Sequence, residues 1–109
     1  MIRQTVHARE QAAALFDYYL EKGREPACEN LLNAIAEAAA RIESNPTGGA
    51  AYPRPYPGIA RWGFRWIKVH RYWFGWSVAR GYPVLTNVFF ETALIEGRMK
   101  PDEGDALAL

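Results

Sequence analysis

Cys28 is the only cysteine among the 109 residues, so no intrachain disulfide can form. That excludes a disulfide-stapled secreted scaffold and makes a reducing, cytoplasmic setting the expectation. No apolar run approaches the ~18 residues that mark a transmembrane helix, so no membrane role is expected. Residues 1–10 carry Arg3, Arg9 and Glu10 and no apolar h-region, so no secretory signal is expected. His7, His70 and Cys28 have no zinc-ligand spacing. Neither a GxxxxGKS/T loop nor a GxGxxG turn occurs, because Gly48-Gly49 lacks the following lysine. Ser44 and Ser77 are isolated and offer no Ser/His/Asp arrangement. Neither a metal nor a cofactor is expected. One further absence is positional: there is no Asp or Glu from residue 45 to residue 90.

That acid-free stretch carries Arg54, Arg61, Arg65, Lys68, Arg71 and Arg80, a local charge of +6 inside a chain whose net charge is +1. The acidic residues lie before it, in residues 1–44, and after it, in residues 91–109. Such segregation can set a potential felt by an anionic partner, or the acidic helices can neutralise it within the fold. Aromatic residues reach 14%, and Trp62, Trp66, Tyr72, Trp73, Phe74 and Trp76 fall within fifteen positions of the same basic half.

The hydrophobic pattern gives the elements. Ile2–Val6 is short and partly β-branched, a first strand by composition. From Ala8 to Lys22, Ala12, Leu15, Phe16 and Tyr19 form a helical stripe that Gly23 ends. A second helix begins at Pro26, where a missing N–H loses nothing. Its apolar face is Leu31, Leu32, Ile35, Ala38, Ala39 and Ile42, and Asn45-Pro46 ends it. The short Lys22–Glu25 connection makes the pair an antiparallel hairpin. Thr47–Gly63 reads as a long loop rich in Gly, Pro and Tyr. Phe64–His70 and Tyr72–Ala79 alternate as strands, Arg80–Pro83 is a turn, and Val84–Phe90 is a β-branched and aromatic strand. The expected fold is therefore α+β: a short N-terminal strand, a two-helix antiparallel hairpin, then a three-stranded antiparallel sheet packed on the helices. Residues 1–100 form one domain, and 101–109 an acidic tail expected to fray.

This order resembles the RelE/ParE superfamily of bacterial type II toxins. The first helix with its Ala12, Leu15, Phe16 and Tyr19 stripe is similar to the family's opening helix. Ile42-Glu43-Ser44-Asn45-Pro46-Thr47-Gly48 resembles the family's second-helix end. Arg71-Tyr72-Trp73-Phe74-Gly75-Trp76 resembles its central strand. Val88–Ala93, with Ile95, Arg98 and Met99, resembles its closing strand and tail. The resemblance implies a cytoplasmic toxin neutralised by a cognate antitoxin in a hetero-oligomer, with DNA gyrase or the ribosome and its messenger RNA as target. The family's last strand often ends in His, followed by Arg and Asp. Phe90, Ala93 and Leu94 stand at the matching positions, and none can transfer a proton. The resemblance therefore tilts toward the gyrase-directed, ParE-like branch and away from a RelE-like endoribonuclease. An inactive member of the fold that binds a peptide or nucleic acid is a third alternative.

RNA cleavage by 2′-OH attack needs a proton acceptor and cations around the phosphorane. The candidates are His70, Arg65, Lys68, Arg71 and Tyr72. An imidazole titrates near neutrality, so His70 is the first choice for acid–base work, and His7 a lesser one. On one continuous strand Arg65 and Arg71 would share a face, and Lys68 and His70 the other. Arg54, Arg61, Arg65, Lys68, Arg71 and Arg98 are candidates for contact with the target or nucleic acid; their plain alternative is a solvated sheet edge. Tyr72, Phe74 and Trp76 are expected to pack on the helices. Trp62, Trp66 and Trp73 are left as anchors for the antitoxin, on whose helix and extended tail the resemblance relies.

Overall fold

A computed structural model of the chain describes residues 2–54, 56–91 and 107. The elements are β1 (Arg3–Gln4), α1 (Val6–Glu21), α2 (Glu25–Ser44), a 3-10 helix (Pro57–Trp62), β2 (Arg65–Val69), β3 (Tyr72–Ser77) and β4 (Val84–Phe90). The sheet runs β1-β4-β3-β2. β2, β3 and β4 pair antiparallel, as expected. The expected sheet is nevertheless one strand short. β1 lies parallel to β4, with Arg3 beside Val84 and Gln4 beside Leu85, which makes a four-stranded mixed sheet. Two residues carry no alternation from which a partner or a direction can be read.

Thr5 starts α1: its side-chain oxygen accepts from the Ala8 N–H at 3.1 Å, satisfying one of the orphan donors of the first turn. Gly23 turns the chain between the helices at φ +66°, a left-handed conformation that a β-carbon disfavours. The hairpin covers one face of the sheet. Tyr19, Leu31, Ala34, Ala38 and Ile42 from the helices pack there with Val69, Tyr72, Phe74, Trp76, Leu85 and Val88. Ala34 and Ala38 are the small residues that let α2 approach closely. Cys28 is buried in the same core, its Sγ 3.7 Å from the Phe16 carbonyl, an inert packing role.

Leu85 and Val88 both face the helices although they are three residues apart. The register accounts for this: Trp76 pairs with Leu85 and Gly75 with Asn87, so Thr86 is an extra, bulged residue. β1 is too short to pair beyond Leu85. The Val88 N–H is taken instead by the side-chain oxygen of Gln11 from α1, at 2.8 Å.

The segment after α2 starts on the helix face, passes the β2 edge and then covers the second face of the sheet. Trp76 Nε1 donates to the Pro46 carbonyl at 2.9 Å, and Ala50 and Trp66 exchange backbone hydrogen bonds at 2.8 and 2.9 Å along the outer edge of β2. Gly49 fits between them at φ +79°, where a β-carbon would lie 2.5 Å from the Trp76 ring. Farther on, Ile59 of the 3-10 helix packs with Phe64, Trp66 and Phe89, flanked by Tyr56, Trp62 and Trp73. The long loop is thus the cover of a second core. At the other edge, Leu107 of the tail forms an antiparallel bridge with Thr5; the remaining tail residues and the boundary at residue 100 lie outside the described residues. Among the described residues, no helix is long and apolar enough to cross a membrane.

Candidate functional site

The chemistry gathers around the β2–β3 turn. Val69 pairs with Tyr72, leaving only His70 and Arg71 to reverse the chain, and His70 adopts φ +55° to do so. Such a conformation is uncommon outside glycine. The turn also changes the facing of the side chains. Residues 65, 67 and 69 share the helix face with 72, 74 and 76, while 66 and 68 share the opposite face with 73 and 75. The expected grouping of Arg65 with Arg71, which assumed one continuous strand, is therefore corrected. Lys68 and Arg71 meet instead, on either side of Glu91: Lys68 Nζ lies 2.8 Å from one carboxylate oxygen and Arg71 Nε 2.7 Å from the other. These two charge-assisted hydrogen bonds, Lys68 first and Arg71 second, hold the Glu91 carboxyl below its ordinary range.

Beside this triad, between the α1–α2 corner and the turn, lies a cleft of about 500 Å³ lined by Tyr19, Arg24, Ala27, Asn30, Asn33, His70, Arg71, Tyr72 and Phe90. Among the described residues no carboxylate lines it. Arg24 stacks over the Tyr19 ring at 5.3 Å from its centroid, and Arg71 over the Phe90 ring at 4.9 Å. At the cleft wall the Tyr19 and Tyr72 hydroxyls are hydrogen-bonded at 2.7 Å. Burial chiefly, and then the bond to Tyr19, pushes the Tyr72 hydroxyl above its ordinary pKa, while Arg24 and Arg71 pull the other way. Tyr72 is thus a neutral hydroxyl at physiological pH and no proton acceptor. His70 stands at the rim, half-exposed, with Nε2 3.8 Å from a Glu37 carboxylate oxygen.

The cleft brings together three of the five sequence candidates, His70, Arg71 and Tyr72. Lys68 is drawn to Glu91. Arg65 is used elsewhere: its guanidinium donates to the Thr47 and Gly48 carbonyls and fixes the exit from α2. Arg54 and Arg61 are exposed on the loop, Arg61 lying over the Trp62 ring at 5.8 Å, and Arg98 lies outside the described residues. Trp66 cannot serve as a surface anchor. It is 1% exposed, stacked on Phe89 and covered by the loop. Trp62 and Trp73 keep part of their rings at the surface. Arg24, Asn30 and Asn33 were not singled out from the sequence. Their one signal is a spacing of three along α2, with Ala27 between, which places them on one inclined ridge.

A second concavity, of about 410 Å³, runs along the outside of the hairpin between Ala12, Ala13 and Phe16 of α1 and Leu31, Leu32 and Ile35 of α2, with Gln4, Arg9 and Asp17 at its borders. Leu32 is 55% exposed there. Among the described residues no group of three or more His, Cys, Asp or Glu side chains could hold a metal ion. No family model, curated protein or solved structure matches the chain.

Proposed function

We propose that the chain is the toxin component of a type II toxin–antitoxin pair of the RelE/ParE kind, acting in the cytoplasm. It is ParE-like: it arrests growth by binding DNA gyrase and is neutralised by a cognate antitoxin in a hetero-oligomer. The order strand, helix hairpin, antiparallel strands supports the family. The choice of target rests on one observation, the fate of the nuclease candidates. Arg65 holds backbone carbonyls, Tyr72 is locked to Tyr19, and Lys68 and Arg71 share Glu91. His70 alone of these candidates is left to move a proton, and cleavage by 2′-OH attack calls for a base and an acid together. A target bound through protein contacts does not need that machinery.

For the antitoxin, the apolar groove on the hairpin suits one face of an amphipathic helix, with Arg9 and Asp17 to fix its ends. Trp62 and Trp73 are the anchors left for its extended tail. Induction of the chain alone should arrest growth, a neighbouring reading frame should encode a small acidic protein, and co-expression of the two should relieve the arrest and yield a co-purifying complex. Unimpaired growth on induction, with no complex formed, would leave the reading as an inactive binding module in its place.

The ribosome-dependent endoribonuclease is kept as a second reading for one reason. His70 and Arg71 share a cleft with Arg24, so a histidine and two cations do face one cavity. Substitution His70→Gln separates the readings: it should leave the growth arrest intact in a gyrase-directed toxin and abolish it in an RNase.

A further inference from the structure

We propose that the cleft between the α1–α2 corner and the β2–β3 turn binds a phosphate monoester carried on a planar ring: a free mononucleotide or the terminal nucleotide of a nucleic acid. The site would operate whether or not the chain is a toxin.

The volume, about 500 Å³, falls in the range of small-molecule sites, ~300–1,000 Å³. Its described lining supplies cations and neutral donors and no carboxylate. Arg24 comes from the start of α2 and Arg71 from the β2–β3 turn, so two guanidiniums approach from different elements. Each lies over an aromatic ring, Tyr19 or Phe90, a contact that restricts its rotamers before any ligand arrives. Glu91 engages Arg71 through Nε, and among the described residues the terminal N–H groups of that guanidinium remain to donate. No described carboxylate pairs with Arg24. Both guanidiniums line the same cleft as the Tyr72 hydroxyl.

The tyrosine pair adds a donor. Two hydroxyls carry two protons, and one internal hydrogen bond uses only one of them. The second proton, on whichever hydroxyl accepts the internal bond, can donate to an oxygen in the cleft. A tetrahedral group with several negative oxygens satisfies two guanidiniums and a hydroxyl together.

The rest of the cleft suits a ring. Asn30 and Asn33 lie one helical turn apart, and each offers a carbonyl and an NH₂, the complementary pair that reads a base edge. The Phe90 ring, already backed by Arg71 and by Tyr72 at 5.6 Å, provides a stacking wall.

The test titrates the full chain with adenosine 5′-monophosphate, adenosine, and a short oligonucleotide with and without a 5′-phosphate, by calorimetry. The monophosphate should bind at least tenfold more tightly than adenosine. Arg24→Gln, at an exposed position, should weaken it about tenfold, and Tyr72→Phe severalfold, while Arg3→Gln at the far edge of the sheet should leave it unchanged. Tighter binding of the phosphorylated oligonucleotide than of the monophosphate assigns the site to nucleic-acid ends; equal or weaker binding assigns it to the free nucleotide. Equal affinity for adenosine and its monophosphate, no binding of either, or equal effects of Arg24→Gln and Arg3→Gln would overturn the proposal.

Discussion

Glu91 is the carboxylate that closes the acid-free stretch, and it neutralises two of that stretch's cations, Lys68 and Arg71. Its carboxyl is held below the ordinary value of 4.5 by those two hydrogen bonds. A depressed folded-state pKa gives stability that is present above the unfolded value and lost as pH falls through the folded one. Glu91→Gln should therefore lower the melting temperature near neutrality, and the gap to the wild type should close as pH drops well below 4.5. Thermal denaturation at both pH values checks this. A second residue-scale case is Gly75, opposite Trp66 in the ladder. A β-carbon there would lie 2.9 Å from two atoms of the Trp66 ring. That ring is stacked on Phe89 and buried, so it has no room to retreat. Gly75→Ala should cost ~1–3 kcal/mol, the usual penalty of overpacking, measurable by urea unfolding.

At the scale of elements, two contacts tie the layers together. Gln11 links α1 to β4 where β1 has run out, and Gln11→Ala strands the Val88 N–H in the interior. The expected loss is ~1–3 kcal/mol, the cost of an unsatisfied buried donor, with faster hydrogen exchange at Val88. Ile59 pins the loop to the back of the sheet. Ile59→Ala should cost ~2–5 kcal/mol if the cavity cannot collapse, and should raise the solvent exposure of Trp62 and Trp66 in fluorescence quenching. Both helices were legible in the sequence because their apolar stripes and stops, Gly23 and Asn45-Pro46, are local signals. β4 was legible to the residue for the same reason. The β2–β3 turn was not, because His70 and Arg71 are not turn formers and His70 takes a left-handed conformation under tertiary constraint. The second core was also hidden: Tyr56, Ile59, Trp62 and Phe64 follow no period, so nothing local says that they cover Trp66. Of the cleft, the turn residues were found by chemistry, while Arg24, Asn30 and Asn33 belong to a polar helix ridge that looks like any solvated face.

For the molecule as a whole, the segregation of charge resolves into local arrangements. Part of the central positive charge is absorbed by Glu91 and by the carbonyls after α2, and part faces a cleft that no described carboxylate lines. The aromatic richness divides the same way. Tyr72, Phe74 and Trp76 hold the helices, Trp66 holds the loop, and Trp62 and Trp73 are left partly at the surface. Among the described residues, of the nuclease candidates only His70 is left to move a proton, which is why the proposed reading is a gyrase-directed toxin rather than a nuclease. The most direct measurement adds the purified chain to gyrase and relaxed plasmid, and in parallel to a translating extract with labelled messenger RNA. Loss of supercoiling with intact transcripts is the expected result; cleaved transcripts with supercoiling unimpaired would contradict it.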